Sequence, residues 1–347
     1  MATIGDVARR QLTTMTHRIH TLPVLILMPH SQCNCRCVMC DIWKANGDRR
    51  QLSREDLAVH LETFRSFRVK RVVLSGGEAL MHPNLWTLCE LLREIPLSIS
   101  LLSTGILLKR HAAGVVQWVD DVVVSLDGSP AVHDQIRGVP RAFDRLAEGV
   151  RELRRLSPDF PIRARCVVQR RNFFDLPNVV DTARQLSLDQ ISFLAADVSS
   201  EAFNRPRPWD AERIDDVALS PAETAEFERI VEQVIKDQAN SFTSRFIAES
   251  PEKLRRLPRY YRALNREGDF PRTICNAPWV SAVIEADGVV RPCFFHPALG
   301  NIHERPLEAI LNSDEAVAFR RQLDVERDPI CRKCVCTLQL GPRSAVP

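Results

Sequence analysis

Eight residues constrain this chain more than any other stretch: Cys33-Asn34-Cys35-Arg36-Cys37-Val38-Met39-Cys40. Four thiols in one short loop are poorly explained as packing. Cys33, Cys37 and Cys40 are separated by three residues and then by two. Thiolates so spaced can wrap three corners of a 4Fe–4S cube and leave the fourth iron open, which makes that iron a place for substrate rather than an electron relay. The apolar run Val24-Leu25-Ile26-Leu27-Met28 precedes the loop and reads as a buried strand. A disulfide is the weaker reading because one-residue spacings strain the bridge. Structural zinc would close its shell with four thiolates and leave no chemistry. Cys35 lies inside the spacing and is expected to be a bystander, although a cluster that uses it in place of a neighbour fits the same residues.

The remaining composition narrows the setting. Eleven cysteines in 347 residues, without a signal-peptide core in the first twenty, point to metal or redox chemistry in a reducing, cytoplasmic compartment. A net charge of +3 without a dense Lys/Arg tract argues against nucleic acid. No apolar run reaches membrane-spanning length. The 45% hydrophobic and 26% charged content is that of an ordinary globular protein, long enough for one large domain and a small one.

A strand–helix alternation follows the loop. Ser53 with Asp56 forms a capping box opening a helix to about Arg68, with Leu57, Leu61 and Phe64 on one face. The strand from Arg71 ends in Gly76-Gly77-Glu78, and two glycines let backbone approach a ligand closely. Further strands are expected over Leu97–Ser103, Asp121–Asp127, Ile162–Gln169 and Gln190–Ala196, giving six strand–helix units. Alternation puts Val123, Ser125 and Asp127 on one face of the fourth, and Arg163 and Arg165 on one face of the fifth. If those arginines face a lumen they need an anionic partner, either a substrate carboxylate or phosphate or an internal Asp. Cys89 and Cys166 fall on apolar faces and read as core.

The cysteine loop followed by Gly-Gly-Glu resembles the radical S-adenosylmethionine (SAM) superfamily. That resemblance implies a partial (β/α)6 TIM barrel whose open iron holds SAM, reductive cleavage to a 5′-deoxyadenosyl radical, and a flavodoxin- or ferredoxin-type electron donor. It assigns Cys33, Cys37 and Cys40 to the cluster, Gly76, Gly77 and Glu78 to the SAM amino group, and Met39 and Trp43 to the adenine wall, where plain loop packing fits as well. Ser103, in Ser103-Thr104-Gly105, matches only part of the family's Thr-Asn-Gly. Ser125-Leu126-Asp127-Gly128 with Arg137 resembles the subgroup with SPASM or twitch extensions, where the serine and arginine meet the SAM carboxylate or ribose. Arg163, Arg165 and Asp127 are candidates for substrate. Asp197 or Glu201, after the sixth strand, is the positional candidate for a base.

The last 75 or so residues carry Cys275, Cys293, Cys331, Cys334 and Cys336. Ala286-Asp287-Gly288 between alternating apolar runs signals a hairpin, and a helix is expected near Pro306 to Asn312. A cysteine before the hairpin, one after it and a distant Cys-x-x-Cys pair can converge on one metal. The pattern resembles a twitch or shortened SPASM domain, which implies an auxiliary 4Fe–4S cluster on Cys275, Cys293, Cys331 and Cys334, with Cys336 a spare or a competitor. A four-cysteine zinc ribbon uses similar spacings. The expected organisation is an N-terminal arm over 1–20, the barrel over 21–240, a solvated connector over 241–272 and the auxiliary domain over 273–347.

These features favour an enzyme that abstracts hydrogen from a small molecule of sugar, aminosugar or nucleoside-sugar type in natural-product biosynthesis, ending in oxidation or decarboxylation. The short arm favours this over the alternative, crosslinking or epimerisation of a ribosomally made peptide. A non-catalytic iron–sulfur or zinc protein is the third reading.

Overall fold

The computed structural model describes residues 3–205 and 207–346. Six parallel strands form its frame: β1 (Val24–Leu27), β2 (Arg71–Leu74), β3 (Ser98–Ser103), β4 (Asp121–Ser125), β5 (Ile162–Val168) and β6 (Gln190–Ala195). They lie side by side in chain order with helices between them, as the strand–helix alternation requires. The period-2 pattern decides which face is which. Val72, Leu74, Ile99, Leu101, Val122, Val124, Ile162, Ala164, Cys166, Ile191 and Phe193 are buried on one face, in one continuous core. Cys89 and Cys166 belong to it, as expected. This is the expected partial barrel of six units.

The lumen face carries Arg71, Asp121 and Arg163 low in the barrel. Asp121 accepts from Arg71 at 2.7 Å and from Arg163 at 2.6 Å. Of the two partners left open for Arg163, the internal aspartate is the one present.

The sheet does not end at β1. The C-terminal segment supplies β7 (Ser281–Ile284), β8 (Val289–Arg291) and β9 (Gly300–Asn301). β7 pairs parallel with β1 over four residues, Val24 opposite Ser281 through Leu27 opposite Ile284, and β8 returns antiparallel as the expected hairpin. The result is one nine-stranded sheet, ordered β6-β5-β4-β3-β2-β1-β7-β8-β9. The helix Leu307–Leu311 follows. Leu338 and Val346 pack against Val24, Ile26 and Val283, making the β1–β7 side of the lumen apolar.

Three expectations change. The N-terminal arm is a helix, Ile4–Thr16, opened by a reciprocal Thr3–Asp6 capping box. Its buried Arg10 donates to the carbonyls of Gly341 at 2.9 Å and Ser344 at 2.7 Å, clasping the C-terminal tail. The Ser53 capping box is present, but its helix is two short ones, Arg54–Ala58 and Leu61–Ser66, parted at Val59-His60. The supposed connector holds the helix Arg256–Leu264, whose buried Tyr261 donates to Val168 O and accepts from Ala196 N at 3.0 Å. It is packed on β5 and β6, not solvated.

Candidate active site and auxiliary centre

Cys33–Cys40 leaves the end of β1 with little regular structure of its own, so neighbours hold its backbone. Arg36 N donates to Arg137 O at 2.8 Å and Val38 N to Ile136 O at 3.1 Å, at the end of the helix Pro130–Arg137. Gly138 follows with φ +63°, a left-handed cap at which a Cβ would press on Arg36 O. Asn46 brackets the first cysteine, accepting from Cys33 N and donating to Cys33 O, each at 2.9 Å.

Charge enters from Arg137, which is buried. Its guanidinium lies 3.5 Å from Cys37 Sγ and pairs with the fully buried Asp127. Burial pulls its pKa down, but Asp127 and Cys37 outweigh that and raise it, so the guanidinium is firmly cationic. The Cys37 thiol is lowered to about 7, first by a hydrogen bond from the Cys35 thiol and, against burial, by Arg137. Cys35 itself is pushed far up by its contacts with Cys33 and Cys37. The Cys35 thiol thus keeps its proton beside the more acidic Cys37. Asp127 therefore serves Arg137 and the Val167 N–H (2.9 Å), not the lumen as the substrate reading had it.

Gly76-Gly77-Glu78 abuts this loop. A Cβ on Gly77 would collide with Gln32 O, the carbonyl that accepts Glu78 N at 2.9 Å. Gly76 has φ +104° and packs on Met28 and His30. Glu78 is fully buried, one hydroxyl away from the loop, since its partner Thr104 Oγ1 also lies 2.9 Å from Asn34 Oδ1. Its carboxylate accepts from Ser103 Oγ at 3.0 Å, Thr104 N and Thr104 Oγ1 at 2.6 Å, and Leu80 N at 3.2 Å. It thus locks the ends of β2 and β3 together, and Ser103 is one of its donors.

After β6 the chain folds back over the loop. Arg205 pairs with Asp197 at 2.7 Å, donates to Met39 O at 3.3 Å and stacks 3.8 Å above the Trp209 ring. Trp209 Nε1 donates to Asp41 Oδ2 at 2.8 Å. Asp197 also accepts from Ser200 and Ser199. The assignment of Asp197 as a base is corrected on this ground, since its carboxylate is committed to a buried cation. Glu201 is exposed on the cavity wall.

That cavity, about 1040 Å³, lies between the glycine pair and the hairpin. Met28, Ile42, Phe203, Phe294 and Phe295 give it apolar wall, and Lys44, Arg50, Glu201 and Arg291 give it charge. Deeper in, Ser125, Arg165 and Ser192 stand in register across β4, β5 and β6. Arg165 donates to Ser192 Oγ at 3.4 Å and, among the described residues, has no carboxylate within ion-pair distance.

The loop fits a cluster with SAM. Among the described residues, one trio of ligating atoms converges within 4.8 Å, and it is His296, Asp328 and Cys331. No three loop thiols converge that closely, which is unlike the preformed ligand set of one tetrahedral ion. Around them stand buried polar atoms without protein partners: Asn34 Nδ2, Trp43 Nε1, Arg137 Nε and both amide atoms of Gln169. Orphans at this density call for a polar ligand. Sequence reasoning did not single out Asn34, Gln169, Arg205 or Trp209 as site residues: Asn34 and Gln169 lie within the cysteine loop and the expected fifth strand but carry no motif of their own, and Arg205 and Trp209 lie in an irregular segment without a periodic signal. The second set gathers at the hairpin, with Cys275, Cys293 and Cys334 half-buried, Cys331 buried and Cys336 exposed.

Fold and site together define a barrel enzyme built around an open-cornered iron–sulfur centre. A model of the radical SAM superfamily matches residues 27–180, and a model of the SPASM iron–sulfur cluster-binding domain matches residues 275–335. The chain belongs to the radical SAM superfamily and carries a C-terminal SPASM domain. Its cofactors are accordingly a 4Fe–4S cluster with SAM and auxiliary iron–sulfur chemistry. It is 26% identical to the AdoMet-dependent heme synthase of Methanosarcina barkeri, over 85% of this chain and 82% of that protein. It is 28% identical to the pre-heme d1 synthase of Dinoroseobacter shibae over 55% of this chain, spanning 47% of that protein. Streptococcus suis SuiB bound to its precursor peptide SuiA shares the fold, with a TM-score of 0.66, 16% identity and coverage of 94% of this chain and 73% of SuiB. Among the described residues, no helix is long and apolar enough to cross a membrane.

Proposed function

We propose that the protein abstracts hydrogen from a small anionic molecule and completes the reaction by oxidation or decarboxylation. The observation that carries this reading is the guanidinium of Arg165. It donates to the Ser192 hydroxyl, with Ser125 opposite in register on β4, while Arg71 and Arg163 share the one aspartate below. The buried Glu249 carboxylate acts on Arg165 only from beyond ion-pair distance, and a part-buried cation without a direct ion pair favours an anionic ligand. The curated relatives reported above are named for heme and pre-heme d1, which supports a small molecule and widens the class beyond sugars.

With cofactors bound, the chemistry supplied is reductive SAM cleavage and hydrogen abstraction by the 5′-deoxyadenosyl radical. The chain's own residues then have these roles. Cys33, Cys37 and Cys40 hold the cluster, and Arg137 compensates its thiolate charge. Gly76 and Gly77 admit SAM against the loop, with Glu78 and Ser103 fixing that turn from behind. Met39 and Trp43 wall the adenine, and Ser125 takes a polar group of SAM. Arg165 takes the substrate anion, the aromatic wall excludes water, and Glu201 receives the proton released. Cys275, Cys293, Cys331 and Cys334 hold the auxiliary cluster. An electron donor of flavodoxin or ferredoxin type supplies the reducing electron.

The test is anaerobic reconstitution with dithionite, SAM and deuterated substrate pools: sugar nucleotides, metalloporphyrin carboxylates and peptides. Deuterium should enter 5′-deoxyadenosine from an anionic small molecule, and Arg165→Gln should raise KM for it more than it lowers kcat. Label arriving from peptides alone would overturn the reading.

A further inference from the structure

The cavity and the second cysteine set meet at one side chain. His296 is 3% exposed, yet its edge lines the cavity. Its Nε2 lies 3.2 Å from Cys331 Sγ and 3.9 Å from Asp328 Oδ1. The ring is not free to choose this contact. It packs edge-on against Phe319 with centroids 5.0 Å apart, and its carbonyl accepts from Arg291 at 3.3 Å. Asp328 is fixed too, capping the helix Pro329–Arg332 by accepting from Ile330 N and Cys331 N, both at 2.9 Å. A carboxylate and a ligating thiolate are both acceptors, so the Nε2 between them carries the hydrogen.

We infer that His296 donates a hydrogen bond to the sulfur of Cys331 and thereby raises the reduction potential of the auxiliary cluster, making it a better acceptor for an electron from the cavity that His296 lines. The inference rests on the proposal that Cys331 is a cluster ligand. An N–H donor on a ligating sulfur stabilises the reduced, more negative cluster over the oxidised one, and the potential rises. His296 is a positioning residue in this account and touches no reacting atom.

The experiment isolates the auxiliary centre in the full chain by replacing Cys33, Cys37 and Cys40 with alanine. Iron and sulfide are counted, and the midpoint potential is measured by titration followed by electron paramagnetic resonance. His296→Phe keeps the packing on Phe319 and removes the donor, whereas His296→Gln keeps a donor. The expected result is unchanged iron and sulfide in both variants, a more negative potential for the Phe variant, and a potential for the Gln variant nearer the parent. An unchanged potential in a fully loaded Phe variant overturns the inference. So does a parent that binds one metal ion per chain without sulfide, lost in the Phe variant, which would make His296, Asp328 and Cys331 ligands of a single ion. A parent without either metal would sink the auxiliary-cluster assignment itself.

Discussion

Arg205 and Asp197 form an ion pair at 2.7 Å with side chains 0% and 3% exposed. Through Met39 O and the Trp209 ring, the same guanidinium fastens the segment after β6 to the cysteine loop. Removing one partner of such a pair strands a buried charge, at a cost of about 3–5 kcal/mol. Arg205→Ala should therefore unfold at lower temperature and hold less iron in the loop. Asp197→Asn should lose stability in the same direction without moving the pH–rate profile. A profile that shifts while the melting temperature holds would return Asp197 to the role of base.

Gly77 is where two site segments come closest. Any Cβ there strikes the backbone of Gln32, which cannot swing aside as a side chain can. Gly77→Ala should cost about 1–3 kcal/mol or more and weaken SAM binding. Gly47→Ala, with open space around it, serves as the control. Equilibrium dialysis with labelled SAM and thermal melts on both variants check this.

The two cysteine sets should separate cleanly. Replacing Cys33, Cys37 and Cys40 together with alanine should remove about four irons and abolish 5′-deoxyadenosine formation. Replacing Cys275 and Cys293 should remove a similar amount of iron while leaving SAM cleavage measurable and product formation impaired. Iron analysis paired with the cleavage assay reads both outcomes. Equal loss of SAM cleavage in the two variants would contradict the division of labour.

Acid should loosen the N-terminal helix before the barrel. Burial pushes the Asp6 carboxyl up, but hydrogen bonds from Thr3 and Arg68 outweigh it and bring it down to about 2. A carboxylate with a depressed folded-state pKa stabilises the fold above its ordinary value near 4, and that contribution fades as pH falls towards about 2. Amide protection over residues 4–16, read as exchange relative to the intrinsic rate at each pH, should fall through that window, and Asp6→Asn should be less protected at neutral pH already. Protection independent of pH in the parent would refute this.

How much was legible in the sequence depended on range. The Ser53–Asp56 box, the alternation in β4 and β5 and the Asp287-Gly288 turn are local signals, and each marked a real element. The pairing of β1 with β7 joins residues some 250 positions apart, and nothing in either tetrapeptide names the other. Glu78 was assigned from a motif, and its burial against Ser103 and Thr104 follows from how β2 and β3 end side by side. Arg163 had two possible partners in sequence, and only the lumen placed Asp121 beside it.

The hydrogen-bonded ladder from β6 to β9 passes without a break between the part bearing the first cysteine set and the part bearing the second. Tunnelling between two redox centres falls off exponentially with the gap, and a shared sheet fixes that gap as a rigid girder would. With clusters at both cysteine sets, as proposed above, that gap would vary little, and the tempo of electron hand-off would follow driving force rather than hinge motion.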